Sequence, residues 1–453
     1  MTATTERPSL WRNRDFTLLW SGQVISNLGA AISGTAMPLL VLGITGSPTD
    51  AGLVGAAGTL PHLIASLPAG PVVDRWDRRR LMIVAEVVAG FALLIVPLAL
   101  WSGLLGAEPA SAHPFSSPSL STALLCLVAF VQGLCFVFFG LAERAALPLI
   151  VPVAVLPTAI AHNEARGRGA ALAGPPLGGL LFGIDRSLPF LADGFSYLLA
   201  AGALVFLRRN LNPRRDPHND LSQRDPDVRD PGLGVPGLRE PEAASMEAAE
   251  PLWKAAVTGL RWIWRNPLVR AAILLLAVSN LVFQALVLVI VVLARQQGAT
   301  AGGVGLMLGL YSVGGLLGAL AAGRFHRNFT PRTVIVGINW VWVALLPLIV
   351  LTTHPLQIGV IGAACAFVGP LWSVVMVTYA SVLVPNQLLG RVMSASMMLT
   401  WGVMPIASLG AGLLLSAVGP IGSVWVLAAV MLAAAVAGTA SRAVRRAPPM
   451  PAG

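Results

Sequence analysis

The chain has 453 residues, 56% of them hydrophobic and only 11% charged, with a mean hydropathy of +0.76. A water-soluble enzyme of this length carries far more charge, so composition excludes that class and places the chain in a lipid bilayer. The net charge of +10 comes from Lys and Arg in the polar stretches between apolar runs, which excludes a nucleic-acid partner and points to membrane topology instead.

Apolar runs of about 20 residues are long enough to span. Taken in order they fall at 16–42, 51–73, 80–103, 121–148, 165–184 and 188–207, then 267–293, 303–323, 332–352, 356–383, 391–417 and 421–441. That is six spans, a break, and six more. The first 15 residues are polar and the run from Phe16 is long enough to cross, so no cleavable signal is expected. With the N-terminus cytoplasmic, 28 of the 30 Lys and Arg fall on or near that side and only Arg186 and Arg295 fall outside. The positive-inside rule therefore predicts a multi-pass cell-membrane protein with both termini in the cytoplasm.

The division expected is a first six-helix bundle over 1–207, a cytoplasmic linker over 208–266, a second bundle over 267–441 and a tail over 442–453. Segment 208–250 holds nine of the 20 acids, six prolines and little apolar content, the composition of a disordered linker. Residues 252–267 read LWKAAVTGLRWIWRNP: Leu260, Ile263 and Trp264 recur at helical spacing while Arg261 and Arg265 fall on another face. This amphipathic helix either lies on the inner leaflet or packs on the bundle. An internal repeat supports two related halves, with 67–84 echoed by 320–336 and 149–181 echoed by 382–414.

Between the second and third spans, GPVVDRWDRRR (70–80) is too basic for hydrocarbon and must be a cytoplasmic turn. The pattern resembles the signature loop of the major facilitator superfamily, whose members are secondary transporters. The resemblance implies an all-α membrane protein of twelve transmembrane helices in two pseudo-symmetric six-helix bundles. It also implies a gating latch built from Gly70, Asp74, Arg75, Arg78 and Arg79, in which Asp74 faces Arg391 and the arginines pair with acids or lipid phosphates. This chain has Asp77 where the family pattern has Gly, and its C-terminal echo has Arg327 in place of the Asp. A purely topogenic basic loop is the plainer alternative.

GPPLGG (174–179) resembles the glycine-proline signature of antiporters in the superfamily. Gly174 and Gly178 share a helix face, Gly179 follows, and Pro175 with Pro176 removes ladder hydrogen bonds, which suits a hinge. Plain small-residue packing fits equally well. The first span resembles the drug:proton antiporter branch, multidrug and siderophore exporters among them. Many members have Asp just after the Leu-Gly at 28–29, whereas this chain has Ala30.

Proton coupling needs an ionisable group at membrane depth. No acid follows Glu250, which leaves Glu143 and Glu86 as candidates, Asp185 and Asp193 being expected at the outer end. Glu143 also fits a structural role beside the basic loop. Candidates for a cavity wall are the span residues Gln23, Asn27, Gln132, Asn280 and Gln284, with Trp340, Trp372, Tyr379 and Trp401. His62 is expected to be a packing residue.

Cys126, Cys135 and Cys365 lie in apolar runs without paired spacing, so neither a disulfide framework nor a metal site is expected. There is no Walker loop and no nucleophile-elbow context, which argues against catalysis and against a cofactor. The expectation is a monomeric exporter of a hydrophobic or cationic small molecule that exchanges it for protons. A siderophore or lipid exporter, and a facilitator-like sensor without turnover, are the alternatives.

Overall fold

The computed structural model describes residues 10–105, 120–209, 211, 252–328, 331–384 and 386–445. The expected linker 208–250 and the Pro-rich loop 104–120 fall almost wholly outside these residues. All regular structure among the described residues is helical. The first half comprises α1 (Arg14–Thr45), α2 (Pro48–Ile64), α3 (Ser66–Arg75), α4 (Arg78–Trp101), α5 (Leu120–Ile150), α6 (Leu156–Ile184) and α7 (Leu188–Val205). After α8 (Leu252–Arg265) come α9 (Pro267–Gln296), α10 (Ala301–Asn328), α11 (Pro331–Leu345), α12 (Pro355–Leu383), α13 (Asn386–Trp401), α14 (Met404–Ala440) and the short α15 (Arg442–Arg445). Eight of these stretches are individually long and apolar enough to cross a bilayer. The other crossings are built from shorter, broken or more polar helices.

The breaks have local causes. The second crossing divides at Ala65, because Pro68 has no N–H for the Ile64 carbonyl. The ninth ends in a 3-10 turn over Leu346–Leu351 that starts at Pro347. The last two crossings meet at a sharp kink where Gly419 takes φ +68°, a left-handed conformation, ahead of Pro420. At the α1–α2 turn both ends are capped: Gly46 closes α1 with φ +64°, and the Ser47 side chain accepts from Asp50 N at 3.2 Å to open α2. In the α6–α7 turn, exposed Asp185 accepts from the Ser187 side chain and backbone N–H, which holds its carboxyl below the usual range.

α6 departs from the hydropathy reading. It begins at Leu156, nine residues before the expected span, and runs unbroken through His162, Asn163, Glu164, Arg166 and Arg168. These polar turns extend the helix beyond its apolar stretch toward the end of the molecule that carries the 75–80 arginines, here called the basic end.

The halves meet through two helix pairs, α2 with α14 and α6 with α10. At the end opposite the arginines, the far end, both seams are made of small residues. A Cβ built on Gly52 would stand 2.6 Å from the Ser408 carbonyl oxygen and 2.9 Å from Gly412 Cα. One built on Gly305 would stand 3.0 Å from Gly179 Cα, and one on Gly309 would stand 2.6 Å from the Pro176 ring. Backbones therefore touch directly, as small residues permit between membrane helices.

The buried side chains follow the same division. A single cluster joins both halves at the far end, where Leu39, Leu40, Val54 and Leu125 share a core with Leu286, Val289, Leu415 and Leu427. At the basic end the first half has its own cluster around Phe16, Met82, Leu147 and Leu204, and the second has a separate one around Ile263, Val392 and Ala395. The cores are merged at the far end and separate at the basic end, where α3 with α8 and the end of α2 with α13 make lighter contact.

Thr49 Oγ1 and Ser416 Oγ lie 2.7 Å apart across the far-end seam. In a background with Cys126, Cys135 and Cys365 replaced by Ala, Thr49→Cys with Ser416→Cys should cross-link under mild oxidation. After proteolytic cutting within 208–250, the oxidised protein should run as one species on a denaturing gel and the reduced protein as two fragments. Two fragments under both conditions would contradict the close packing of the far end.

Candidate functional site

The halves enclose a tract of two adjoining chambers. The central one, about 440 Å³, lies between the halves; Met37, Val54, Leu93 and Leu288 supply apolar wall, and Gln132, Gln284, Ser408 and His62 supply polar atoms. The other, about 260 Å³, lies within the first half and is lined by Gln23, Ser26, Asn27, Glu86, Glu143 and Arg166. Ala30, Phe136 and Tyr197 line both chambers, which places the two side by side.

Glu86 of α4 is only 2% exposed. Its carboxylate accepts from Gln23 Nε2 at 2.6 Å and from Ser26 Oγ at 3.3 Å, both on one face of α1. Among the described residues it has no ion-pair partner. Gln23 is thus occupied in holding Glu86, while Asn27 donates to the Gln23 carbonyl at 2.8 Å and borders the chamber. Gln132 donates to the Ala89 carbonyl at 3.3 Å and accepts from Tyr197 Oη at 3.2 Å.

Glu143 is differently placed. It accepts both guanidinium nitrogens of Arg166, at 3.0 and 3.2 Å, with Asn163 Nδ2 at 3.4 Å. This bidentate pair fastens α5 to the polar turns of α6. The structural role expected for Glu143 exists, but its partner is Arg166 rather than the 70–80 loop.

Among the described residues, the loop arginines Arg78 and Arg79 bond backbone carbonyls. Arg78 Nη1 donates to the Ala145 carbonyl at 3.3 Å, and Arg79 Nε donates to the Leu204 carbonyl at 3.0 Å, its Nη2 reaching the Val205 carbonyl. These bonds satisfy carbonyls of α5 and of the last turn of α7, where a cation also meets the negative end of the helix dipole. Asp77 is the N-cap of α4, accepting from the backbone N–H groups of Arg79 and Arg80 at 2.9 and 3.3 Å, which explains an acid at that position. Gly70 sits in α3 with open space around it, Arg75 is exposed, and the side chain of Asp74 lies outside the described residues. Arg391 lies half-buried in the second turn of α13, its carbonyl packed under Gly259 of α8. α8 packs on the bundle through Gly259 and Ile263 and leaves Arg261 and Arg265 exposed.

The GPPLGG stretch serves both seams of α6. Gly174 abuts Ala31 and Gly178 abuts the Ile32 backbone, both on α1 in the same half. Gly179 and the Pro175 carbonyl instead meet Ala301 and Gly305 of α10, in the other half.

In the second half, Gln284 donates to Ser408 Oγ at 3.0 Å in the chamber wall, whereas Asn280 is spent on the Thr400 carbonyl at 3.0 Å. Trp372 is 1% exposed and belongs to the main buried core, and it lines neither chamber. Trp340 donates to Thr439 Oγ1 at 3.0 Å on the outer surface. Trp401 stacks on His62 at 5.9 Å between ring centroids, and the side chain of Tyr379 lies outside the described residues. His62, expected only to pack, faces the chamber.

The residues that sequence reasoning missed are Ser26, Ser33, Arg166, Tyr197 and above all Asp193. Placed at the outer end by its position in the sixth run, Asp193 is 0% exposed and bonds Ser33, near the middle of α1. The available signal was Gly29, whose bare backbone lets α7 approach α1.

The Major Facilitator Superfamily profile matches residues 19–291, more than half of the chain. The chain belongs to this superfamily. It is 25% identical over 415 residues, 89% of each chain, to a protein of Mycolicibacterium fortuitum described as the multidrug efflux pump Tap. In fold, this facilitator is similar to a bacterial homologue of the human lysosomal transporter Spinster in an inward-facing, unoccupied conformation (14% identity, 99% and 100% of the two chains, TM-score 0.66). It is likewise similar to a bacterial homologue of the iron transporter ferroportin in an inward-facing state (16% identity, 97% and 100%, TM-score 0.67). A membrane-embedded transporter, not an enzyme, is what these findings describe.

The Glu143–Arg166 pair is buried on both sides in this facilitator. Glu143→Gln should therefore destabilise the detergent-solubilised protein by about 3–5 kcal/mol, because it strands a buried guanidinium. Adding Arg166→Gln should recover most of that loss. Thermal unfolding of the two variants checks this; equal loss in both would remove the ion pair as the cause.

Proposed function

We propose that this facilitator is a secondary exporter of hydrophobic or cationic small molecules, working by alternating access and driven by protons moving inward. The observation that carries the reading is a mostly apolar chamber between two halves whose cores merge at one end, with a buried carboxylate in its tract held by neutral donors alone. The distribution of Lys and Arg supports a cytoplasmic basic end, with both termini inside. On that orientation the more lightly joined basic end is the side that admits substrate from the cytoplasm. The relative described as a multidrug efflux pump supports drug-like compounds as the cargo.

The chemistry follows from the lining. Met37, Phe136 and Leu288 offer adaptable apolar contact, and Gln132, Gln284 and His62 offer a few orienting polar atoms. An ionised carboxylate at membrane depth costs roughly 2.5–3.5 kcal/mol unless it is neutralised. A proton or a cationic substrate can each neutralise Glu86, so the two compete for the same charge. Proton-loaded Glu86 lets the empty tract close; substrate entering from the cytoplasm displaces the proton, and that exchange couples export to the gradient. The bundles over 1–207 and 267–441 are the moving bodies of this cycle. Asp74 and Arg391 act as the latch of its cytoplasm-closed state.

In proteoliposomes, Glu86→Gln should abolish substrate accumulation driven by a pH gradient while retaining substrate exchange, which needs no net proton movement. Unimpaired gradient-driven accumulation in that variant would remove Glu86 from coupling. Binding of dyes or antibiotics to wild type with no flux under any gradient would favour a sensor instead.

A further inference from the structure

A second buried carboxyl lies beyond Glu86 on the same face of α1. Gln23 and Ser26 hold Glu86, and Gly29 and Ser33 receive Asp193 from α7. The spacing of 3, 3 and 4 residues keeps all four on one side of the helix, and seven residues from Ser26 to Ser33 correspond to about 10 Å of rise. Asp193 is completely buried, and a Cβ on Gly29 would stand 2.6 Å from its Oδ1.

The hydrogen bonds around Asp193 accommodate a proton. Ser33 Oγ lies within bonding distance of Asp193 Oδ2 and 3.3 Å from the Ala30 carbonyl, yet a hydroxyl has one hydrogen to give. Ser196 Oγ is 2.7 Å from the Asp193 backbone carbonyl and 3.3 Å from Oδ1, and faces the same choice. An ionised Asp193 draws both hydroxyl hydrogens to itself but is then a fully buried charge with no cation bonded to it among the described residues, which is costly. A proton on Oδ2 removes that charge without breaking the contacts: Oδ2–H donates to Ser33 Oγ, Ser33 donates to the Ala30 carbonyl, and Ser196 donates to Oδ1. The titratable groups whose charges couple to Asp193 are Glu86 of α4 and Tyr197 of α7; neither is a cation.

We infer that Asp193 is a second proton-binding site, separate from Glu86 and nearer the far end. Its use in transport rests on the proton-coupled reading above, whereas its occupancy does not. The full-length protein is tested by infrared difference spectroscopy, which detects the carbonyl stretch of a protonated carboxylic acid. Near neutral pH, wild type should show such a band that persists in Glu86→Gln and disappears in Asp193→Asn. Ser33→Ala, which leaves both acids in place, should shift the same band to higher frequency by removing the acceptor. Persistence of every band in folded Asp193→Asn overturns the assignment; where that variant does not fold, an unshifted spectrum in Ser33→Ala overturns it. In proteoliposomes Asp193→Asn should keep substrate exchange and lose gradient-driven accumulation. Absence of any flux in wild type would count against the proposed function while the infrared band still decides the site.

Discussion

The structure depends on backbone contact between the halves at the far end. Inside a bilayer there is no hydrophobic force to press helices together, since lipid tails are as apolar as Leu, so close packing must come from small residues. Gly52 against Gly412 and Gly179 against Gly305 supply it at two separate seams, α2 with α14 and α6 with α10. Because both seams lie at the same end, the cores of the halves merge there and stay separate at the other end. The chambers follow from that asymmetry: two bodies joined closely at one end meet only lightly at the other.

Charge is distributed as unevenly as packing. After Glu250 the chain has twelve Lys and Arg and no acid, so every carboxylate available to the tract comes from the first half. Within that half the acids are sorted by partner. Glu143 has a guanidinium and is thereby fixed as an ion pair, a fastening between α5 and α6. Glu86 has only an amide and a hydroxyl, which hold it in place without neutralising it. Position alone made the two equivalent; the partner separates a brace from a carboxylate that, among the described residues, has no cation bonded to it.

Much of the fold was legible in the sequence because apolar length is a direct requirement of hydrocarbon thickness. The six-plus-six order and the reversal near Gly419 were readable from runs and breakers; the basic stretch marked a reversal too, but most of the expected turn is helix, with Arg78–Arg80 opening α4 and only Trp76 and Asp77 standing between α3 and α4. Helix ends were less so: a hydropathy reading stops where charge begins, whereas α6 continues as helix through Glu164 and Arg166 because those turns face the tract and Glu143. Side-chain partners were not readable at all. Arg78 and Arg79 turn to carbonyls at helix ends, Trp372 fills the core, and Gln23 is committed to Glu86. Each depends on which helix lies alongside, and that is a property of packing with no local signature.

The same point explains the absence of an acid at Ala30. A carboxylate in the first span of related exporters is one way to put a titratable group against the tract. In this chain Ala30 leaves room in both chambers, while Ser33, a turn further on, receives Asp193 from the neighbouring helix. Gly29 is what makes the transfer of position feasible, since a side chain there would hold α7 away and leave Asp193 short of Ser33. An acid in contact with the face of α1 can thus come from either helix of the pair. A motif read along one strand of sequence registers no acid where the folded pair of helices places one.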